Sequence, residues 1–266
     1  MAQDTSNDEQ QPLLSPCPPS THDMLQGKKK RSFLPALIAI ELIFTTYWIL
    51  CVNLQGVLSL SQTAPILSVP ILQGLWAACI IRNGPWFAQE RILRSFPMVW
   101  LPLFPFVVQT AVFQLWQWET ISELLRHQDS YQSVLMLQGL RVLAVGSLIK
   151  WKHGLFPTAF AWGTAFPDMI FGISTWWVLA LLTGTEEPAW QLLALWNAAG
   201  LLLILPAGIL IVQLGMAPTR LYPSTRAPYK LVFEYPMVLG PAVVVPILLS
   251  WNGLLFQFAV EKLQQQ

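Results

Sequence analysis

The chain has 266 residues, 54% of them hydrophobic and only 11% charged, with a formal net charge of +1. An ordinary soluble domain carries about 25% charged residues, and one of this size does not cover its surface with so few. Composition therefore excludes the soluble, disordered, collagenous and disulfide-scaffold classes for the chain as a whole, and near-neutrality leaves no global field to recruit nucleic acid. The mean hydropathy of +0.50 points to an all-α, polytopic transmembrane helical bundle.

Taken in chain order, residues 1–31 read as a disordered cytoplasmic tail. Asp4, Asp8, Glu9 and Asp23 lie among Gln, Ser, Thr and Pro, and the basic block Lys28-Lys29-Lys30-Arg31 ends the segment. Leu14-Ser15-Pro16-Cys17 resembles a lipoprotein cleavage site, but no apolar run precedes it, so Cys17 reads as a free thiol. Cys17, Cys51 and Cys79 show neither paired nor metal-type spacing. The first apolar stretch lacks a small-residue cleavage site and is expected to stay as an anchor.

A bilayer core of about 30 Å needs roughly 20 apolar residues per helix. Seven stretches qualify: 33–53, 64–81, 97–116, 133–149, 155–182, 189–213 and 231–259. They fill a transmembrane domain over 32–260, with a short outer tail over 261–266. The fourth is short and carries Arg141; Pro157 and Pro167 interrupt the fifth, and Pro236, Pro241 and Pro246 punctuate the seventh. In-helix prolines free carbonyls that neighbours or water must satisfy, so the fifth stretch is either one kinked helix or a re-entrant segment plus a helix. No connection between stretches exceeds 17 residues, which leaves no room for a catalytic domain outside the membrane.

Seven crossings with the N-terminus in the cytoplasm place Lys28, Lys29, Lys30, Arg31, Arg82, Arg91, Arg94, Lys150, Lys152, Arg220, Arg226 and Lys230 on the cytoplasmic side. Arg126 and Lys262 fall outside, where Glu119, Glu123, Asp129, Glu186, Glu187 and Glu261 also collect. The positive-inside rule thus sets the N-terminus in and the C-terminus out. Trp86, Trp116, Trp118, Trp151 and Trp190 lie near the predicted boundaries, as an aromatic belt requires.

Glu41, Arg141, Asp168 and Glu234 are the ionisable residues within the stretches. Each costs about 2.5–3.5 kcal/mol when charged at mid-helix, so pairing or protonation is expected. Glu234 sits four residues after Lys230, near the cytoplasmic end, and can pair or snorkel there. Glu41, Arg141 and Asp168 lie near mid-depth, with Gln138 one short turn before Arg141. Arg141 has two competing acid partners. The Pro167 ring cannot support a hydrogen bond to the Gly163 carbonyl, so residues 163–168 form a candidate broken helix beside a carboxylate, a device of transporter binding sites. The alternative is an Arg–Asp clamp that fixes how the fourth and fifth helices assemble. Asn197 and Asn252, each after a Trp, are candidates for helix–helix hydrogen bonds of about 1 kcal/mol, and Gly139 and Gly146 for close packing.

Missing groups narrow the chemistry. The seventh stretch holds no Lys, and the orientation is inverted relative to seven-helix receptors. His22, His127 and His153 fall in the tail or loops, so no paired haem ligands are expected. No Ser–His pair lies at depth, Asp168 is the single embedded aspartate, and glycine-rich phosphate loops are lacking. The chain is expected to be no enzyme and to need no cofactor or metal.

In the second half Gln138-Gly139-Leu140-Arg141-Val142-Leu143, Gly154-Leu155-Phe156-Pro157, Phe160-Ala161 and Asp168 with Gly172 form a recognisable set. Trp196-Asn197 with Gly200-Leu201, and Tyr235-Pro236 with Pro241 and Pro246, continue it. Over about residues 136–259 the chain resembles a family of uncharacterised bacterial multi-pass membrane proteins. It departs from that family in having Phe166-Pro167-Asp168 where a glycine usually precedes the aspartate, and in lacking a histidine usual near Trp251-Asn252. The resemblance implies an inner-membrane protein and singles out Arg141 and Asp168 without an activity. The expected role is structural or partner-binding, with the polar cluster holding the first, fourth and fifth helices together. The runner-up is a small-solute or proton-coupled transporter using Glu41, Arg141 and the break at Asp168. Expected partners are the lipid bilayer and another membrane protein or a small solute, with no nucleic acid.

Overall fold

Helix α1 (Leu34–Leu54) buries Leu37, Ile38, Glu41, Thr45, Trp48 and Ile49, a stripe at the 3.6-residue period. It packs on α2 (Leu60–Arg82), whose Pro65 and Pro70 lie inside the helix, and Ser59 with Gln62 closes a capping box at its start. These are the first elements of a computed structural model that describes residues 34–54, 56, 59–83, 100–127, 130–183, 189–216 and 236–266. The tail 1–31 and the pair Glu234 and Lys230 lie outside those residues. So do Trp86, Arg91, Arg94, Asp129, Glu186, Glu187, Arg220 and Arg226.

Every described element is a helix or helical turn. Helix α3 (Trp100–Gln109) continues as a π-helical stretch, Thr110–Trp116. A short amphipathic helix, α4 (Trp118–Arg126), follows where the sequence suggested only a loop. It buries Thr120, Ile121, Ser122, Leu124 and Leu125 and leaves Glu119, Glu123 and Arg126 outward. The fourth stretch is three pieces in series: α5 (Ser130–Gln138), a 3-10 segment (Gly139–Ala144) and α6 (Val145–Lys152). Gly154, at φ 71°, then ends it in the left-handed conformation that lacks a steric penalty only for glycine.

The fifth stretch is continuous rather than broken. The short α7 (Thr158–Phe160) passes through a π turn (Ala161–Ala165) into α8 (Phe166–Thr183) without unwinding. The Phe166 N–H donates to the Ala161 carbonyl, five residues back, so the wide turn just before Pro167 maintains the helix at the candidate break, and of the two alternatives the structure has one irregular helix. Helix α9 (Trp190–Met216) packs along α10 (Val245–Gln264), which is entered through a second wide turn, Gly240–Val244. Pro241 occupies a first-turn position, where a missing N–H removes no bond, and Pro246 lies where the wide turn passes into α10. Because α10 reaches Gln264, most of the expected outer tail belongs to the last helix.

Five helical runs among the described residues are long and apolar enough to cross a membrane: 34–51, 61–82, 130–152, 158–183 and 240–264. The last is the axis of the bundle: over its most apolar 18 residues 72% are buried, against 33% over the corresponding 18 residues of each of the others. It contacts α3, α5, α9 and both neighbouring π-helical stretches. At one end of the bundle Arg126 pairs with Glu261, and Tyr131, Trp190 and Phe258 pack ring against ring. Lys150, at the far end of the fourth stretch, donates to Met237 Sδ and sits over the Phe156 ring.

Candidate functional site

Polarity in this bundle runs inside out. Each long helix turns a polar side chain inward: Glu41 and Thr45 from α1, Gln73 from α2, Gln109 from α3, Gln138 from α5, Thr175 from α8, Asn197 from α9, and Ser250 and Asn252 from α10. Arg141 joins them from the 3-10 segment. Meanwhile Ile43, Tyr47, Ile71, Leu75, Leu115, Trp177, Leu195 and Leu202 stand exposed.

The best-connected group centres on Arg141, whose side chain is almost fully buried. Its Nε donates to Gln138 Oε1 at 2.8 Å, and its Nη1 donates to Asp168 Oδ1 at 3.1 Å. Gln138 in turn donates from Nε2 to the backbone carbonyl of Leu248 at 3.0 Å. One continuous chain of hydrogen bonds thus runs from α8 through the 3-10 segment and α5 to α10. Of the two acids that compete for Arg141, Asp168 holds it. The Asp168 side chain keeps 15% of its surface exposed, whereas that of Arg141 keeps 1%.

Close backbone approach makes this possible. A Cβ on Gly172 of α8 would collide with Val142 N and lie 2.8 Å from the Arg141 carbonyl carbon. Only glycine lets α8 lie directly on the 3-10 backbone. The next ring along, Phe171, lies under the guanidinium, 5.2 Å from Arg141 Cζ to the ring centroid, and stacks on Trp196 of α9 at 4.0 Å. Gly200 of α9 continues the seam, since a Cβ there would strike the Asn252 amide and the Phe171 ring. Gly139 is likewise close to Trp176, at 3.2 Å, but Gly146 faces open space and serves no close packing.

Other expected members behave differently. Glu41 is 1% exposed, yet among the described residues neither of its carboxylate oxygens has a hydrogen-bond partner. The first helix is therefore not tied to the fourth and fifth by a hydrogen bond from Glu41; the polar chain binds the fourth, fifth and seventh stretches instead. Asn197 donates from Nδ2 to Leu193 O in its own helix at 2.8 Å, not across to a neighbour. Asn252 lies against Gly200 of α9 with neither amide atom hydrogen-bonded. Asn252 sits at the α9–α10 crossing and Asn197 is buried on α9, but among the described residues the interhelical hydrogen bonds expected of them are not made: one amide donates to a local carbonyl, and the other is packed by shape.

Sequence reasoning missed a second polar contact, Gln73 Nε2 donating to Gln109 Oε1 at 2.8 Å between α2 and α3. Its signal was present in the residues themselves, since a glutamine at mid-depth of an apolar stretch must face protein. Phe171 gave no signal. Among the described residues no group of three or more His, Cys, Asp or Glu side chains is arranged to hold a metal.

A family model described as a domain of unknown function (DUF8737) matches residues 98–260, a region that contains Gln138, Arg141, Asp168, Asn197 and Asn252 but not Glu41. No curated protein and no solved structure matches the chain.

Proposed function

The chain belongs to the DUF8737 family, and from that premise we propose that it is a multi-pass integral membrane protein of a bacterial inner membrane with a structural or partner-binding role. Seven crossings, N-terminus in the cytoplasm and C-terminus outside, are part of this reading. The observation that carries it is the inside-out polarity: amides, a guanidinium and carboxylates turned inward, and large aliphatic and aromatic side chains turned outward. Water penalises that distribution, because an exposed apolar surface of this extent drives association, whereas lipid requires it. The ion pair between Arg126 and Glu261 adds support, since both residues fall on the outer side in a seven-crossing path.

Within this reading the Arg141 network is a clamp. It joins three helices by side chains whose donors and acceptors answer one another, an arrangement that fixes register and gives no path for a solute through the pair itself. A small-solute or proton-coupled transporter is the second reading. The unpartnered, fully buried polar atoms of Glu41 and Asn252 favour it, because such groups line passages in membrane proteins.

Two measurements test the proposal. Reporter fusions at the C-terminus are expected to be active outside the cytoplasm, and activity confined to the cytoplasm overturns the orientation. Asp168→Asn is expected to lower the thermal unfolding midpoint and the yield. Solute flux in proteoliposomes that this change abolishes without loss of fold would replace the clamp by the transporter.

A further inference from the structure

We propose that Glu41 is a second seat for the Arg141 guanidinium, and that the 3-10 segment Gly139–Ala144 is the element that moves it between Asp168 and Glu41. Arg141 is the one cation among the buried side chains described. Its Nε and Nη1 are engaged, while its Nη2 is buried without a hydrogen-bond partner among the described residues. Glu41, buried in the same bundle interior, has both carboxylate oxygens without a hydrogen-bond partner among the described residues. An unpartnered guanidinium donor and an unpartnered carboxylate buried in one interior are complementary groups.

The backbone supplies the means of movement. The segment that carries Arg141 is wound as a 3-10 helix between two α-helices, α5 and α6. A 3-10 helix turns about 120° per residue and rises about 2.0 Å, against about 100° and 1.5 Å in an α-helix. Rewinding two or three residues to α geometry therefore rotates the side chains beyond them by roughly 40–60° and shortens the segment by about 1–1.5 Å. Gly172 of α8 lies directly on the Arg141 and Val142 backbone, so rewinding the segment is also a sliding of that contact. Gln138, which shares the guanidinium with Asp168, sits on the last residue of α5, before the rewinding segment, and keeps its hold on Leu248 in both positions. The inference concerns the interior of the bundle and does not depend on whether the protein carries a solute.

The full-length protein in one detergent, carrying Glu41→Gln, Asp168→Asn or both, tests the switch through thermal unfolding midpoints. Glu41→Gln in the otherwise unchanged protein is expected to leave the midpoint unaltered or raise it, because the carboxylate it removes makes no hydrogen bond. In the Asp168→Asn background the same change is expected to lower the midpoint by several degrees, because Glu41 then holds the arginine. An effect of equal sign and size in both backgrounds overturns the proposal. Should Asp168→Asn fail to fold, solid-state magnetic resonance decides, on protein reconstituted in lipid with nitrogen-labelled arginine side chains and carbon-labelled glutamate carboxyls. An arginine–glutamate cross-peak that disappears in Glu41→Gln supports the second seat, and spectra identical with and without Glu41 overturn it.

Discussion

Two sides of the same bundle treat buried polarity in opposite ways. On the α8 side, Asp168, Arg141 and Gln138 answer one another, and the last of them reaches a carbonyl of α10. On the α1 side, the Glu41 carboxylate and the indole nitrogen of Trp48 are buried with no hydrogen-bond partner among the described residues, while Trp48 meets Trp251 edge to face at 5.9 Å. The difference lies in how closely the backbones come. Gly172 lets α8 touch the 3-10 backbone, so short and medium side chains reach their partners. Helix α1 instead meets the core through Trp48, Ile49 and Ile38, whose bulk packs the interface without bringing polar atoms together. Small residues at a contact thus do more than permit packing; they decide which polar groups can be satisfied.

The largest way to break this contrast is to remove Arg141. Arg141→Met leaves the Asp168 carboxylate without its partner on the α8 side, and loss of one member of a buried pair costs about 3–5 kcal/mol. Thermal unfolding in detergent should show the largest drop of any single change discussed, and no comparable drop for Glu41→Gln. A close second is Gly172→Ala. The added methyl meets backbone, which cannot swing aside as a side chain does, and overpacking of this kind costs about 1–3 kcal/mol. Gly146→Ala is the control with the opposite sign: its Cβ enters open space in a helix, where alanine is favoured over glycine by about 0.5–1 kcal/mol. Equal effects at the two glycines would remove the backbone contact as the reason for the α8 seam.

How much of this was readable beforehand follows from the same physics. In a soluble helix the buried face is marked by apolar residues, but here α1 is apolar all round, and periodicity in hydrophobicity carries no information on which face is inside. The mark that survives is polar: Glu41, Gln138, Arg141, Asn197 and Asn252 all proved buried, because an embedded polar group has nowhere else to go. Which of them touch was not legible. Partnering depends on helix rotation, and the 3-10 segment and the π turn at Ala161–Ala165 alter rotation without a sequence signature. Pro167 gave a true signal of irregularity but not of its kind, since a wide turn serves at the candidate break. Helix α4 was legible in principle, from Ile121, Leu124 and Leu125 set among Glu119, Glu123 and Arg126, but the search for long apolar stretches passed over a helix of nine residues.

A smaller change sharpens the role of Gln138. Among the described residues it is the one hydrogen-bonded link by which the Arg141 pair reaches α10, through one neutral donor to the Leu248 carbonyl. Gln138→Leu retains approximate volume, removes that bond and deprives the Arg141 Nε of its acceptor, a loss of about 1–3 kcal/mol. If the polar chain is a clamp rather than three separate contacts, Arg141→Met in the Gln138→Leu background should cost less than it does alone, a non-additivity of about 0.5–3 kcal/mol read from a double-mutant cycle. Strict additivity would reduce the chain to independent bonds.

The smallest effect is expected where the bundle meets water. Arg126 of α4 and Glu261 of α10 form an ion pair like that of Arg141 and Asp168, but their side chains keep 38% and 27% of their surface exposed. Exposure changes both sides of the balance. Neither group gave up much hydration to form the pair, so neither is stranded when the other is removed, and solvent and salt screen what attraction there is. Arg126→Ala should therefore shift stability by no more than about 1 kcal/mol, and the shift should shrink as salt is raised. The cost of Arg141→Met, set by a carboxylate that the bundle surrounds on most of its surface, should hardly respond to salt. Unfolding of both variants at low and high ionic strength separates the two pairs, and a strong salt response at position 141 would mean that water reaches the α8 seam.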